Sequence, residues 1–414
     1  MVKIKEFRGL RPVAEMVEDV ASPPYDVINS KEARDMVRGK PHSFLHVVKP
    51  EIDLPEDISP YDEEVYQKGK ENLDRLITDG VLIQDTLPAF YFYRLIMGGI
   101  TQIGLVASAS IEDYENDLIK KHELTRANKE ADRIKHVDTL NANTGPVFLT
   151  YRAREDMNLL TGDILLGEPL YDFTSGDGIR HTFWRVDDPK LIERIRKIFL
   201  EIDCLYVADG HHRSASGTIV GQRRRAANPS HTGEEEYNYF LSVIFPHNQL
   251  YIMDYNRVVR DLNHHSPEEF LQLISDSFEV SAQLDNTPYR PEARHSFGMY
   301  LNGKWYRLTA KDGSFPKGDP VGSLDISILQ NNLLSPILGI GDPRTDERID
   351  FVGGIRGLKE LSARVDGGEA VAFALYPTSI NQLMAVADQG LMMPPKSTWF
   401  EPKLRSGIIV HLLN

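Results

Sequence analysis

Short apolar runs separated by turn residues are the dominant hydrophobic pattern in this chain. Apolar runs of about four to eight residues between Gly, Pro, Asn or Asp are typical of β-strands. Other stretches repeat apolar residues about every three to four positions, which predicts amphipathic helices. The clearest hairpin is 297–308, in which Asn302-Gly303 separates two apolar runs. Strands and helices in one chain predict the α+β class.

Several elements are well defined by this pattern. Predicted helices cover residues 31–38, 63–79, 126–140 and 189–201. Predicted strands cover residues 43–48, 90–95, 103–107 and 370–375. The turn between the predicted strands 239–245 and 250–253, with the segment 254–265, marks the start of a second lobe, and the pattern of elements changes from Ser266 onward. We therefore expect two domains, residues 1–245 and residues 246–414, the second being a further α+β lobe.

The stretch 202–225 is the most informative for function. Its apolar run, 204–208, predicts a buried strand, and Asp209-Gly210 predicts a turn after that strand. Beyond the turn, the small and hydroxyl residues 214–218 are expected to open a helix. A strand, a glycine turn and a helix N-terminus bring backbone N–H groups and the positive end of the helix dipole to one point. We expect the functional centre of the protein at this point.

Three basic side chains, His211, His212 and Arg213, lie at this expected helix N-terminus. Helices normally begin with acidic residues, because the dipole repels positive charge there. A bound anion would explain the basic side chains, and phosphate is the commonest such anion. Ser214 and Ser216 would contribute to the same phosphate-binding turn. The alternative is structural: the histidines cap and pack, and Arg213 pairs with a surface carboxylate.

A second basic cluster lies on the predicted helix 126–140. At about 100° per residue, four side chains fall within one quadrant of that helix: Arg126, Lys129, Arg133 and His136. Such a face needs either an external negative partner or contact with solvent, and both interpretations stay open. In the functional interpretation, Lys129, Arg133 and His136 bind the phosphate.

The loop 22–28 carries a double proline, which favours an extended backbone and opposes helix. It presents Tyr25 and Asp26, and loops often carry functional side chains. We expect Tyr25 and Asp26 to bind the substrate. A stiff structural connection is the alternative.

Composition and charge narrow the class of protein. The chain has 414 residues, of which 41% are hydrophobic and 26% charged, as in ordinary globular proteins. Lys plus Arg total 47 and Asp plus Glu total 61, which gives a formal net charge of −14. An acidic chain lacks the general positive field that attracts nucleic acid. No nucleic-acid partner is therefore expected.

The single cysteine, Cys204, excludes an intrachain disulfide and a multi-cysteine zinc site, and it fits a reducing compartment. Apolar runs stay well short of the ~20 residues that span a membrane. The first residues lack the apolar core of a signal peptide. We expect a cytoplasmic protein without a membrane partner, and the sequence leaves a homo-oligomer open.

Several short motifs resemble those of a large microbial family described only as a domain of unknown function, family 1015. They are spread over most of the chain: Arg11-Pro12, 22–28, 43–45, His122-Glu123 with Asp132-Arg133, 209–213 and 393–398. This resemblance identifies a family and implies no activity by itself.

The motif Asp209-Gly210-His211-His212-Arg213 also resembles the phosphate-binding turn of the ParB and sulfiredoxin superfamily. This resemblance implies a mixed-sheet ParB/sulfiredoxin-like core. Some members of that superfamily phosphorylate free L-serine from ADP, ATP or pyrophosphate, with a glutamate upstream of the motif as base. Glu123 is our first choice for this base, and Asp132 is the second.

The resemblance thus implies a small-molecule phosphotransferase, a kinase for free L-serine with a nucleotide or pyrophosphate as donor. Asp209 would hold Mg²⁺ or orient the acceptor hydroxyl, while His211, His212 and Arg213 would bind the donor phosphate. One alternative is a ParB-like nucleotide-binding switch without catalysis. Another is a metal hydrolase with His211, His212 and Asp209 as ligands. That alternative is disfavoured, because adjacent side chains on an extended backbone point to opposite faces.

Overall fold

The computed structural model describes residues 1–285 and 287–414, which form two compact units. The first unit comprises Met1–Lys121, Thr125–Leu250 and Pro402–Asn414. The second comprises His122–Leu124 and Tyr251–Glu401. The division into domains of residues 1–245 and 246–414 stays a prediction, and the segment Pro402–Asn414 is grouped with the first unit.

The regular elements are named in chain order. The strands are β1 Ile4–Lys5, β2 Leu10–Pro12, β3 Leu82–Gln84, β4 Phe90–Met97, β5 Ile100–Ser110, β6 Ile119–Lys120, β7 Ala142–Asn143, β8 Val147–Tyr151, β9 Tyr171–Thr174, β10 Arg180–Val186, β11 Leu205–Asp209, β12 Tyr239–Pro246, β13 Tyr251–Met253, β14 Tyr255–Val259, β15 Phe278–Ala282, β16 Ser296–Leu301, β17 Lys304–Ala310, β18 Ile349–Gly353, β19 Val371–Ala374, β20 Trp399–Glu401 and β21 His411–Leu412. The helices are α1 Val17–Val20, α2 Ser30–Met36, α3 Leu45–Val48, α4 Glu63–Thr78, α5 Ile111–Glu115, α6 Ala127–Leu140, α7 Glu155–Ile164, α8 Pro189–Leu200, α9 His211–Ala227, α10 Pro267–Ile274, α11 Asp325–Leu329, α12 Leu358–Asp366 and α13 Ile380–Asp388. Within the described chain, every helix is too short or too polar to cross a membrane.

A nine-stranded mixed sheet forms the centre of the first unit. Its strand order is β6-β11-β8-β12-β5-β4-β10-β9, with β1 paired to β5. Strand β12 runs parallel to β8, whereas β11 runs antiparallel to β8 and parallel to β6. Apolar side chains of the sheet pack with Met157 and Leu160 of α7 and with Ile195 and Phe199 of α8. The predicted α+β class with a mixed sheet is confirmed.

The second unit contains a six-stranded antiparallel sheet, in the order β15-β17-β16-β19-β14-β18. The predicted hairpin is confirmed, because β16 and β17 pair up to Leu301 and Lys304. Asn302 has φ 48° and Gly303 has φ 74°, the left-handed pair that a tight two-residue hairpin turn requires. The twisted sheet is covered by α12, which buries Leu361 against it.

The predicted strand 43–48 is wrong, since Leu45–Val48 is the short helix α3. Leu45, Val47 and Val48 are all buried in one apolar cluster, together with Leu73 and Leu76 of α4. A continuous apolar run has no periodicity that separates a buried strand from a buried helix. Helices α2, α4, α6 and α8 are confirmed within two residues at each end.

A buried carboxyl lies at the start of α11 in the second unit. The backbone N–H of His295 donates to Oδ1 of Asp325 at 2.9 Å, while Oδ2 has no hydrogen-bond partner among the described residues. Burial raises the pKa of Asp325 to about 7, and the His295 N–H only partly opposes that shift. The folded protein therefore holds this proton at pH values where the unfolded chain has released it.

Asp325 should make the stability of the protein fall as the pH rises. Between about pH 4 and pH 7 the unfolded chain binds fewer protons at this group, so the free energy of unfolding decreases, by up to about 4 kcal/mol. The neutral variant Asp325→Asn keeps an acceptor for the His295 N–H and should melt at a higher temperature than the wild type at pH 8. The difference should shrink at pH 5. Exposed Asp276→Asn is the control, and an Asp325→Asn effect that is equal at both pH values contradicts the expectation.

Candidate functional site

Gly210 separates β11 from α9 and fixes the direction of the helix. Its φ of +96° lies in the left-handed region that side chains other than glycine rarely adopt. Helix α9 begins at His211, three residues earlier than predicted from the sequence. His211, His212 and Arg213 consequently form the first helical turn. The prediction that these residues precede the helix is corrected, because the left-handed glycine acts directly as the N-cap.

Helices α6 and α9 run side by side in the same direction. At their starts, the Arg126 N–H donates to Nε2 of His212 at 3.0 Å. Near their ends, Nη2 of Arg224 lies 2.9 Å from Oδ1 of Asp138. The positive ends of two helix dipoles are therefore together at one place, which favours an anion there. Nε2 of His212 must be unprotonated to accept, so this atom caps α6.

The Arg213 guanidinium folds back over Gly210. A Cβ on Gly210 would lie only 3.1 Å from Cζ and Nε of Arg213. Nη1 donates to the carbonyl of Pro146, whereas Nη2 lies 3.8 Å from Oδ2 of Asp26 and 3.9 Å from Oδ1 of Asp209. Both carboxylate distances exceed a hydrogen bond. Nε is buried and has no hydrogen-bond partner in the described part of the chain.

Arg133 of α6 lies over the ring of Tyr25, with 4.0 Å from its Cζ to the ring centroid. Its Nε donates at 2.9 Å to Oδ2 of Asp132, whose Oδ1 accepts from the Tyr66 hydroxyl at 2.8 Å. Burial raises the pKa of Tyr25 to about 12, so its hydroxyl stays protonated. Arg133 is therefore held by aromatic stacking and a neighbouring carboxylate.

His136 and Asn143 complete this part of the site. Nε2 of His136 lies 3.1 Å from Oγ1 of Thr144. Burial, and secondarily Arg133, hold the pKa of His136 well below its usual value. His136 is neutral at pH 7 and supplies hydrogen bonding instead of charge. The side-chain N–H₂ of Asn143 is buried without a partner among the residues described.

A cleft in the first unit brings several of the predicted residues together. Its walls are formed by Pro24, Tyr25, Val48, Arg133, His136, Val137, Asn143, Thr144, Gly145, Arg213, Ser216 and Ser406. Asp26 borders it through Arg213. Tyr25, Arg133, His136, Arg213 and Ser216 thus lie at one place, although the sequence predicts them from three separate stretches.

Other predicted residues point elsewhere. Nζ of Lys129 donates to the Tyr61 hydroxyl at 2.9 Å on the surface. Oγ of Ser214 is fully buried and donates to the His211 carbonyl at 3.1 Å. Glu123 belongs to the second unit, where the carbonyl of its neighbour His122 accepts from the Met393 N–H at 2.7 Å. The role of Glu123 as base stays a prediction.

Lys403 is a site residue that sequence reasoning missed. Its Nζ lies 2.9 Å from Oδ2 of Asp209. Lys403 and Arg213 hold the pKa of Asp209 far below its usual value, although burial opposes them. Asp209 is therefore ionised and faces a cation on each oxygen. No local spacing in the sequence could have linked Lys403 to a turn nearly half the chain away.

These contacts do not fit a metal ion on Asp209. Both its oxygens face positive side chains, and within the described residues Asp209 belongs to no cluster of three metal-ligating side chains. His211 and His212 lie in one helical turn, so the extended backbone expected between them is wrong. The metal-hydrolase alternative is still disfavoured, because Nε2 of His212 accepts from Arg126 and is occupied there.

The fold and the cleft define an α+β protein with a basic cleft between the start of α9 and the second half of α6. The chain belongs to the family described as "Protein of unknown function (DUF1015)", which it matches over residues 4–327. No functionally curated protein matches it significantly.

Among solved structures, the chain is similar to a free serine kinase variant in complex with AMP, with a TM-score of 0.36, 14% identity and coverage of 72% of this chain and 87% of that chain. It is also similar to a conserved hypothetical protein from Pyrococcus furiosus, with a TM-score of 0.36, 14% identity and coverage of 75% and 95%. A third is SbnI with a C-terminal truncation from Staphylococcus aureus, with a TM-score of 0.33, 11% identity and coverage of 73% and 85%.

Gly210→Ala should weaken anion binding as well as stability. A left-handed alanine costs roughly 1–2 kcal/mol, and the new Cβ would displace the Arg213 guanidinium. Gly80→Ala is the matched control, since Gly80 has φ +72° and no atom within 4 Å of an added Cβ. Both variants should melt earlier than the wild type, but only Gly210→Ala should lose affinity for inorganic pyrophosphate in calorimetry. Equal losses of affinity in both variants would contradict this role of Gly210.

Proposed function

We propose that the protein is a small-molecule phosphotransferase that uses a nucleotide or pyrophosphate as donor, with free L-serine as acceptor. The observation that carries the proposal is the pair of buried N–H donors, Nε of Arg213 and Nδ2 of Asn143, on the walls of one cleft. Within the described residues neither donor has a partner. Buried donors are normally satisfied, so two of them in one cleft indicate an acceptor-rich ligand.

The distances around Arg213 favour the functional interpretation over the structural one. An arginine that merely pairs with a surface carboxylate would make hydrogen bonds of about 2.7–2.9 Å. Nη2 of Arg213 instead lies 3.8 Å from Asp26 and 3.9 Å from Asp209. Its side chain is only 12% exposed. A phosphate oxygen would satisfy this guanidinium more fully than either carboxylate does.

The cleft offers complementary groups for a phosphate chain. Arg133 provides a second guanidinium, and neutral His136 and Tyr25 provide hydrogen-bonding groups. Arg213 and Ser216 lie in the first two turns of α9, so the positive end of that helix dipole also favours negative charge near the cleft. Phosphoryl transfer depends mainly on positioning and on neutralising the oxygens of the transferred group, which these groups would supply.

The acceptor is inferred from the acidic side of the cleft. Asp26 has a side chain that is 38% exposed, and it would bind the ammonium group of an amino acid. Ionised Asp209 would accept a hydrogen bond from the acceptor hydroxyl and orient its oxygen. That oxygen attacks the terminal phosphorus, the bond from phosphorus to the leaving phosphate oxygen breaks, and the hydroxyl proton passes to a solvent water molecule. The similarity to a free serine kinase makes L-serine the first acceptor to assay.

The purified protein should form O-phospho-L-serine from L-serine and ADP, ATP or pyrophosphate, measured by mass spectrometry. Arg213→Ala should lower kcat/KM by about 10²–10³, because a donor aimed at the transferred oxygens is lost. The control is Arg224→Ala on the same helix, where Arg224 pairs with Asp138 and should leave the rate within about twofold.

Two results would contradict the proposal. Absence of turnover with every donor, together with unchanged pyrophosphate affinity in Arg213→Ala, would show that Arg213 does not form a phosphate site. The protein could also bind nucleotide through Arg213 and form no phosphoserine or other phosphorylated alcohol. That result would favour a nucleotide-binding switch over a kinase.

A further inference from the structure

The segment Pro402–Asn414 is fixed in the first unit by backbone contacts. Ser406 exchanges two backbone hydrogen bonds with Ser22, at 3.0 and 2.9 Å, and β21 pairs with β7. Gly407 has φ +86°, and a Cβ there would lie 2.6 Å from Cβ of Phe44. The segment therefore has a defined path beside the loop that carries Tyr25 and Asp26.

Arg405 anchors the same segment to the β9–β10 hairpin. Its Nη2 donates to Oγ of Ser175 at 3.1 Å and to the carboxylate of Asp177. Arg405 is buried, with 7% of its side chain exposed. The backbone directly after Lys403 is therefore fixed by Arg405 and Ser406, which limits where the ammonium of Lys403 can lie. The fold of the first unit therefore positions Lys403 beside Asp209.

The Lys403 ammonium occupies the place that a divalent ion would need. It lies 2.9 Å from Oδ2 of Asp209, and Nη2 of Arg213 lies 3.9 Å from Oδ1. The side chains of Lys403 and Asp209 are 16% and 30% exposed, so solvent screens this contact only in part. Mg²⁺ requires oxygen ligands at about 2.0–2.1 Å. A divalent ion on this carboxylate would stand within a few ångströms of two positive side chains and be repelled by them.

We propose that Lys403 is the resident cation of the site, which neutralises Asp209 and excludes a divalent metal ion from that carboxylate. The inference rests on the proposed phosphate cleft, and it adds a residue that the sequence motif does not contain. Lys403 would act beside the phosphate-binding groups as a fixed positive charge. Its removal should convert Asp209 into a carboxylate that accepts a metal ion.

Titration with Mn²⁺ alone, followed by electron paramagnetic resonance, tests this exclusion on the full-length protein. The wild type should show no Mn²⁺ site that Asp209→Asn removes. The neutral variant Lys403→Gln should gain such a site, with an affinity at least about tenfold above that of the wild type. The double variant with Asp209→Asn should lose it again. Lys190→Gln, an exposed lysine on α8, is the matched control and should gain nothing.

Two outcomes would overturn the proposal. One is a wild-type Mn²⁺ site that Asp209→Asn removes, since the ammonium would then not exclude the ion. This result needs no Lys403 variant, so it can be obtained even if Lys403→Gln fails to fold. The other is a folded Lys403→Gln that gains no Mn²⁺ site. Lys403→Arg keeps the charge and should behave as the wild type, whereas a merely structural lysine would leave Mn²⁺ binding unchanged in every variant.

Pyrophosphate binding in EDTA separates this inference from the proposed function. Wild-type binding that Arg213→Ala abolishes supports the phosphate cleft, whatever Mn²⁺ does. A cleft that binds pyrophosphate through Arg213, combined with an unaltered Mn²⁺ profile in folded Lys403→Gln, refutes only the role of Lys403. Pyrophosphate binding that does not depend on Arg213 refutes the cleft itself.

Discussion

The close approach of the Arg213 guanidinium to Gly210 is the constraint on which the site depends. Because Gly210 has no side chain and adopts φ +96°, β11 ends there, α9 begins at once, and the guanidinium can lie over the turn. Arg213 then lies between Asp26 and Asp209 without hydrogen bonding to either. A single backbone conformation thus sets both the helix start and the position of the charge. The rest of the cleft is arranged around that guanidinium.

The sequence predicts the strand, the turn and the helix around residue 209 because their determinants are local. An apolar run, a glycine and a helix-forming stretch follow one another, and each is readable without knowledge of the rest of the fold. Of the residues predicted on one face of α6, Arg133 and His136 line the cleft, whereas Lys129 contacts Tyr61 on the surface. Tyr25 joins them from a loop that its prolines mark as stiff.

The protonation and the hydrogen-bond partners of the packed side chains could not be predicted from the sequence. His136 lies on the same predicted helix face as Lys129 and Arg133, but burial keeps it neutral. His212 caps the neighbouring helix α6. The pairing of Lys403 with Asp209 depends on tertiary structure that no motif encodes. The helix Leu45–Val48 is predicted as a strand because its apolar residues form a continuous run, and they are all buried in one cluster.

The return of Pro402–Asn414 to the first unit has a consequence for how the protein is made. Asp209 emerges from the ribosome long before Lys403, and the whole of Tyr251–Glu401 is synthesised between them. The nascent first unit therefore lacks the Lys403 partner of Asp209 and the β21 partner of β7 until translation reaches this segment. The wall of the cleft that Ser406 supplies is likewise completed only after residues 251–401 have been synthesised, so this topology delays assembly of the cleft during translation.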